Sequence, residues 1–192
     1  MRVLIACGGT GGHINPGLAI ADIIKSKYPD TEFLFAGTPK GMEAKLVPAA
    51  GYRFETIKVA GFQRRISLEN IGRNAKAVAY LITSGRRAKQ IIEGFKPDIA
   101  IGTGGYAAGP VIRKAARMGI PTAIHEQNAY PGVTNKLLSK EVDHVMLTVK
   151  EALNFMDGSK FEHTVTGLPV RSNIKNSISR AEARKKLGFN DD

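Results

Sequence analysis

The chain has 192 residues, of which 43% are hydrophobic and 23% charged, a composition typical of a folded globular protein and too apolar for disorder. Its one cysteine, Cys7, excludes a disulfide framework and a cysteine-based metal site, and it favours a reducing compartment. The opening MRVLIAC is too short for a signal peptide, and no run approaches the roughly 18 to 20 apolar residues of a membrane span. We therefore expect a cytosolic chain.

The net charge of +11 is concentrated in one part of the sequence. Residues 53 to 89 contain nine basic residues and two acidic ones, so this segment carries a net charge of +7. A basic excess in one place attracts anionic surfaces and ligands more strongly than the same charge spread evenly. The sequence therefore predicts an anionic partner.

Short apolar runs rich in Val, Ile, Phe and Thr alternate with stretches of helical spacing. In chain order the predicted elements are the strand Arg2–Cys7, the helix Pro16–Lys27, the strand Thr31–Ala36, the helix Gly41–Val47, the strand Arg53–Val59, the helix Glu69–Gly94, the strand Asp98–Ile101, the helix Ala107–Met118, the strand Pro121–His125, the helix Gly132–Ser139, the strand His144–Val149, the helix Lys150–Met156 and the strand His163–Thr166. Several strands are apolar on both faces, which indicates a parallel sheet covered by helices. The predicted fold class is α/β, a doubly wound, Rossmann-like parallel sheet.

The strand pattern ends at TGLPVRSN, residues 166–173. Beyond it, Ser179 is a candidate N-cap for a short charged helix that ends near Gly188, with too few apolar positions to bury a core. We expect residues 1–165 to form one domain, and residues 166–192 to form a linker and the beginning of a second, truncated domain.

Two glycine-rich loops follow predicted strands: ACGGTGGHINPG at residues 6–17 and GTGGYAAGP at residues 102–110. In an open α/β sheet such loops lie at the carboxyl edge, where ligands bind and where helix amides attract anions. One such loop alone is equally typical of an ordinary tight turn. The sequence lacks the G-x-x-x-x-G-K-[ST] string of a P-loop, and the first loop has Ile14 where a dinucleotide fingerprint needs glycine.

The segments GGTGGH, GGYAAGP, HEQN, TNK and GLPVR, in this order and spacing, resemble the amino-terminal half of the MurG family of peptidoglycan N-acetylglucosaminyltransferases. The resemblance implies the amino-terminal, acceptor-binding domain of a two-domain GT-B enzyme. It implies inverting transfer of GlcNAc from UDP-GlcNAc to the 4-hydroxyl of the lipid I acceptor, undecaprenyl-pyrophosphoryl-MurNAc-pentapeptide, giving lipid II at the cytoplasmic face of the bacterial membrane. The donor-binding half is absent, so we expect this half alone to be inactive. Another GT-B enzyme with a different lipid or nucleoside-sugar acceptor remains the alternative.

The resemblance also assigns residues. The family's donor-site positions within this chain correspond to Thr10, Gly11, Gly12, Asn128 and Arg171. Amides of Gly11, Gly12, Gly104 and Gly105 suit the acceptor pyrophosphate, and Tyr106 and Asn135 are expected to line the acceptor side.

Two residues are candidates for the catalytic base. His13, where the first helix begins, is the candidate general base, the alternative being a hydrogen-bonding residue that positions the sugar or shapes the loop. Glu126 is the other candidate base, and it could instead pair with His125. Arg171 could equally be a solvated linker charge.

The predicted helix Glu69–Gly94 lies largely in the basic segment 53–89, with the apolar residues Phe62, Ile66, Leu68 and Leu81 in or near it. This combination suggests that the chain docks on an anionic membrane surface as a peripheral protein. The alternative is an ordinary helix packed on the sheet. A nucleic-acid binder is the competing class, but no aromatic-interleaved motif supports it, and we expect no nucleic-acid partner. No D-x-D string or metal-spaced cluster occurs, so we expect neither a metal nor a cofactor.

Overall fold

A computed structural model describes residues 1–59, 83–156, 161–171, 174 and 178–189. The described residues form a seven-stranded sheet in which all pairs are parallel. Its strands are β1 Arg2–Cys7, β2 Glu32–Gly37, β3 Arg53–Thr56, β4 Ile99–Gly104, β5 Thr122–Glu126, β6 His144–Leu147 and β7 Glu162–Val165. All seven predicted strands are confirmed, with small shifts at their ends.

Except for the last one, which follows β7, the described helices connect successive strands. They are α1 Gly11–Lys27, α2 Glu43–Ala49, α3 at 83–95, α4 Ala108–Arg117, α5 Val133–Leu138, a 3₁₀ helix Lys150–Phe155 and α6 Arg180–Lys186. The first part of the predicted helix Glu69–Gly94 lies outside the described residues, whereas its part from 83 onward is helical.

The start of α1 differs from the sequence prediction. Pro16 was expected to open the helix, as proline often does, yet α1 begins five residues earlier at Gly11. Proline lacks the N–H that bonds to the carbonyl four residues earlier, and its ring crowds that carbonyl, yet in this helix Pro16 is accommodated at the sixth position. The earlier start places His13 in the first turn of α1.

The core consists of two layers, one on each face of the sheet. On one face Leu4 and Leu34 pack with α3, α4 and α5, and on the other Ile5 and Phe35 pack with α1 and α2. Neighbouring residues of β1 and β2 therefore point to opposite layers, as the period of two requires. Helices on both faces confirm the doubly wound α/β class.

The strand order is β3-β2-β1-β4-β5-β6-β7. The chain runs outward from β1 in one direction and outward from β4 in the other, so the topological switch point lies between these two strands. In open α/β sheets ligands bind outside the carboxyl ends of the strands at such a point. The two glycine-rich loops follow β1 and β4, so both lie there.

The carboxyl-terminal segment shows the predicted cap. Ser179 Oγ accepts a hydrogen bond from Glu182 N, and the Glu182 side chain accepts one from Ser179 N, which forms a capping box at the start of α6. A domain boundary near residue 165 remains a prediction. Within the described ranges, no helix combines the length and apolarity that crossing a bilayer requires.

Candidate functional site

The two glycine-rich loops are in direct contact. Gly104 and Gly105 have φ angles of +102° and +84°, a region that side chains rarely adopt. A Cβ on Gly104 would come 2.7 Å from His13 Nδ1, and one on Gly105 would overlap the Gly8 carbonyl. Both glycines are therefore explained by the packing of one loop on the other. That their amides also hold an acceptor pyrophosphate stays a prediction, and such a ligand has no room between Gly8 and Gly105.

The start of α1 is different, because the fold itself does not require its glycines. Gly11 and Gly12 lie in the first turn after the N-cap residue Thr10, which is exposed and extended. A Cβ on Gly11 would meet Asn15 Nδ2 at 3.6 Å and one on Gly12 would meet Thr10 Oγ1 at 3.5 Å, both ordinary contacts. The amide end of a 17-residue helix is thus left open to an approaching anion.

His13 lies beside this open helix start and is half-buried. Its carbonyl accepts a hydrogen bond from the buried hydroxyl of Thr103 at 2.7 Å, which fixes the first turn of α1 to β4. Its side-chain Nδ1 lies 3.1 Å from Oε1 of Gln127. The imidazole is therefore hydrogen-bonded to Gln127 and lies close to Gly104, where a side chain would overlap it.

His125 and Gln127 extend this arrangement into the sheet. His125 is fully buried at the end of β5; its Nε2 lies 3.1 Å from the Gly167 carbonyl and its Nδ1 lies 3.1 Å from Gln127 Nε2. Burial lowers the pKa of His125, so its imidazole is neutral near pH 7. The alternative pairing of His125 with Glu126 is not what the structure shows, since the ring nitrogens of His125 contact the Gly167 carbonyl and Gln127 Nε2.

Glu126 is a buried carboxylate that organises the loop after β5. Only 1% of the residue is exposed, and its two oxygens accept hydrogen bonds from Asn128 N, Asn128 Nδ2, Gly132 N and Asn135 Nδ2 at 2.8–3.1 Å. Four donors leave this carboxylate little capacity to accept a proton from a substrate. Both oxygens of Glu126 are therefore already engaged within the protein, and the identity of the general base stays a prediction.

Asn135, expected to line the acceptor side, is 2% exposed. Its amide donates to the His125 carbonyl and to Glu126, so the structure places it beneath the loop and not on the open surface. Asn128 and Tyr106, by contrast, are exposed, and Tyr106 lies on the loop after β4.

Arg171 is held against the domain. Its Nε lies 3.8 Å from Asp22 Oδ2 on α1, and Asp22 Oδ1 accepts a hydrogen bond from the Tyr52 hydroxyl at 2.7 Å. Arg171 is therefore paired with Asp22 and is not a free charge on a linker. No contact in the described ranges joins it to His13 or to the glycine-rich loops, so its proposed donor contact stays a prediction.

Sequence reasoning missed Glu43, which stabilises the first glycine-rich loop from below. This buried carboxylate accepts hydrogen bonds from Gly9 N at 3.1 Å, Thr38 N at 2.8 Å and Thr38 Oγ1 at 2.6 Å. Although burial alone would raise it, the pKa of Glu43 is lowered, because these donors stabilise the charged form. In sequence, Glu43 is one acidic residue at the start of a short helix, with no pattern to distinguish it from a surface residue.

A metal centre has no support in the described part of the chain, where no group of three or more His, Cys, Asp or Glu side chains is placed to hold an ion. The candidate site presents backbone amides, the His13 and His125 imidazoles and the Gln127 amide, while the carboxylates of Glu43 and Glu126 accept hydrogen bonds from the loops around them. Such groups bind anions and sugars and transfer protons.

Comparison with known proteins gives a consistent result. The family model described as the glycosyltransferase family 28 N-terminal domain matches residues 3–147. Curated relatives named UDP-N-acetylglucosamine--N-acetylmuramyl-(pentapeptide) pyrophosphoryl-undecaprenol N-acetylglucosamine transferase include one from Acetivibrio thermocellus, 53% identical over 98% of this chain, and one from Desulfitobacterium hafniense, 48% identical over 100%. The chain spans 50% of the length of each.

Solved structures agree with these relatives. The crystal structure of MurG from Acinetobacter baumannii is similar with a TM-score of 0.65 and 25% identity, over 96% of this chain and 48% of that one. A UDP-GlcNAc 2-epimerase from Neisseria meningitidis, bound to UDP-GlcNAc, has a TM-score of 0.63 at 15% identity over 100% of this chain and 55% of that one, which shows a shared fold.

Proposed function

This chain belongs to glycosyltransferase family 28, through the N-terminal domain of that family, and from this premise we propose that it is the acceptor-binding half of an inverting N-acetylglucosaminyltransferase. The proposed donor is UDP-GlcNAc and the proposed acceptor is undecaprenyl-pyrophosphoryl-MurNAc-pentapeptide, as the names of the relatives state for those proteins. The donor would be held mainly by the half of the relatives that this chain does not match.

The reaction is a displacement at the anomeric carbon. The acceptor 4-hydroxyl attacks C1 of GlcNAc, its proton passes to the general base, and the bond from C1 to the β-phosphate oxygen breaks with its electron pair leaving on UDP. Attack from the face opposite the leaving group inverts the configuration at C1. We assign the base to His13 Nε2, because Nδ1 is already engaged by Gln127.

The observation that carries this proposal is the open start of α1 beside His13. Its glycines are not needed by the fold, and its amides and helix dipole favour a phosphate or pyrophosphate group. A base and an anion site side by side at a switch point suit a sugar transfer onto a pyrophosphate-linked acceptor.

Titration calorimetry on this chain tests the anion site. A lipid I analogue with a shortened isoprenoid is expected to bind saturably, and UDP-GlcNAc alone is expected to bind weakly. Gly12→Leu should weaken analogue binding at least about tenfold, since the side chain would cover the helix start. The matched control is Gly94→Leu, a helical glycine with open space around it, which should bind as the unchanged chain does.

Two results would count against the proposal. Unchanged binding by Gly12→Leu would remove the helix start from the acceptor site. Failure of the unchanged chain to bind the analogue would favour a different lipid or nucleoside-sugar acceptor.

Activity distinguishes the two candidate bases. In a chimera that joins this chain to the remaining half of the Acetivibrio thermocellus relative, His13→Ala should lower kcat by roughly 10²–10⁴-fold. Glu126→Gln keeps the size of the side chain and should act mainly through loop order, so its loss of kcat should be smaller. The reverse ranking would make Glu126 the base.

The proposed acceptor carries a long isoprenoid that would anchor it in the bilayer, so the reaction would take place at a membrane surface, which we propose to be the cytoplasmic face of the bacterial membrane. The basic segment 53–89 is the proposed contact with anionic lipid. Most of that segment lies outside the described residues, including Phe62, Ile66, Leu68 and Leu81. Of the basic residues in its described part, Arg86 is exposed, whereas Arg87 is paired with Glu55.

A further inference from the structure

We propose that Gln127 is a positioning residue which, together with His125 and the Gly167 carbonyl, fixes the tautomer of His13 so that the proton is on Nδ1 and the lone pair is on Nε2. The four groups form one chain of hydrogen bonds from the segment after β7 to the first turn of α1. The structural part of this proposal stands on geometry alone. Its catalytic meaning rests on the proposed function.

The Gly167 carbonyl determines which atom is donor and which is acceptor in each of these hydrogen bonds. A backbone carbonyl can only accept, so the His125 Nε2, 3.1 Å from the Gly167 oxygen, must carry the hydrogen. A neutral imidazole has one N–H, so His125 Nδ1 is then an acceptor. That is the role it needs toward Gln127 Nε2, which lies 3.1 Å away.

The orientation of the Gln127 amide is fixed independently. Its Nε2 lies 2.8 Å from the His125 carbonyl oxygen, an atom that accepts and never donates. The nitrogen end of the amide must therefore face His125, and the oxygen end must face His13. A flipped amide would place two acceptors, Oε1 and the His125 carbonyl, against each other.

The last bond follows from the first three. Gln127 Oε1 is an acceptor, so His13 Nδ1, 3.1 Å away, donates to it. In the neutral form of the ring, the remaining nitrogen, Nε2, then holds the lone pair. All four bonds satisfy donor and acceptor rules with both imidazoles neutral, and reversing any one of them leaves two acceptors or two donors facing each other.

The consequence concerns which atom takes the acceptor proton. An unrestrained neutral histidine exchanges between its two tautomers, whereas here the base is preset with Nε2 available. Gln127 and His125 touch no reacting atom in this scheme, so their role is to position His13.

Nitrogen-15 NMR of the imidazole rings tests this on the chain itself, at a pH where the histidines are neutral. The chain has four histidines, and His13→Gln and His125→Gln spectra identify the two of interest. We expect His13 to show a protonated Nδ1 and an unprotonated Nε2, and His125 to show the opposite. A protonated Nε2 on His13 would overturn the proposal.

Variants separate positioning from mere folding. Gln127→Met keeps the length of the side chain without its hydrogen bonds, and it should return His13 to a mixture of tautomers. Gln127→Glu keeps an acceptor for His13 Nδ1 and should retain the His13 tautomer. Gln90→Met, at an exposed position on α3, is the matched control and should change neither ring. An unchanged His13 tautomer in Gln127→Met would refute the role of Gln127.

The effect on activity is measured in the chimera of this chain with the remaining half of the Acetivibrio thermocellus relative. Gln127→Met should lower kcat by at least about tenfold with little change in the KM for UDP-GlcNAc, and Gln127→Glu should recover part of that loss. An inactive unchanged chimera with the expected tautomers would count against the proposed function and leave the positioning role intact. Unchanged kcat in Gln127→Met would refute its catalytic importance.

Discussion

At the scale of single residues, Glu43 illustrates how a buried charge can stabilise a glycine-rich loop at the candidate site. Its carboxylate joins the loop after β1 to the loop after β2 by accepting from Gly9 and Thr38. Hydrogen bonds to a buried carboxylate are stronger than neutral ones, and removing the charge leaves its donors poorly paired. Glu43 therefore holds the backbone from which the open start of α1 follows.

Glu43→Gln is expected to lower the free energy of unfolding at pH 7 by about 2 kcal/mol. The folded pKa of Glu43 lies below the ordinary value of 4.5, so its stabilisation is present above pH 4.5 and is lost as the pH falls through the lowered folded value. Urea unfolding measured from pH 7 downward should therefore show the two proteins converging in acid.

The control for this experiment is Glu32→Gln, an exposed carboxylate at the start of β2. Asp143 and Glu182 also have lowered pKa values, but they are present in both proteins and cancel in the difference. A constant stability gap at all pH values would show that the charge of Glu43 is not what matters.

Cys7 provides a second test at this scale. Burial, and next the negative charge of Glu43, raise the pKa of its thiol to about 12. Relative to a free thiol of pKa about 8.5, the thiolate fraction near pH 8 is lower by roughly 10³-fold. We expect a disulfide reagent to label the native chain at least that much more slowly than the urea-unfolded chain. Comparable rates would place Cys7 at the surface.

At the scale of elements, the sheet was predictable because strands buried on both faces form continuous apolar runs that glycine and proline interrupt. The start of α1 was not, since Pro16 has the sequence signature of a first helical residue although it lies well inside the helix. The hydrogen bonds of Gln127 and Asn135 could also not be predicted from the sequence. Their partners, His13 and Glu126, are set by which strand ends become neighbours, and local pattern does not encode this.

The packing of α1 on the sheet is the element on which the site depends. A Cβ on Gly17 would come 3.3 Å from Thr103 Oγ1 and 3.4 Å from Ile5 Cγ2. The missing side chain lets α1 approach the sheet closely enough for the Thr103 hydroxyl to reach the His13 carbonyl. Any larger residue at this position should push the helix outward.

Gly17→Val is therefore expected to lower the free energy of unfolding by about 1–3 kcal/mol, measured by urea denaturation. Gly94→Val introduces the same β-branched side chain into a helix where nothing lies within 4 Å, so it reports the helix propensity alone. Equal losses in the two variants would show that α1 is not closely packed at Gly17.

At the scale of the whole molecule, the site is assembled from segments far apart in sequence: the loops after β1, β4 and β5, and the segment after β7. A doubly wound sheet brings these to one edge, so the glycine-rich loops alone were enough to predict where the candidate site lies in the fold. It could not predict that the second loop packs directly on the first at Gly8. Because of that contact, the start of α1 is the part of the two loops that we propose as the anion site.

The distribution of charge is also a property of the whole molecule, and it predicts binding to anionic membranes. With a net charge of +11, the chain should bind vesicles containing one-third phosphatidylglycerol more strongly than vesicles of phosphatidylcholine alone, because each basic residue near an anionic surface contributes about 1 kcal/mol.

Arg64→Glu with Arg65→Glu reverses two charges inside the basic segment 53–89. Lys185→Glu with Lys186→Glu makes the same change in net charge on α6, where both lysines are exposed. Sedimentation with vesicles should show a large loss for the first pair and a small one for the second, because attraction to a surface falls off within about 8–10 Å and depends on where the charge lies. Equal losses would mean that net charge alone drives binding, and equal binding to both vesicle types would exclude an electrostatic contact.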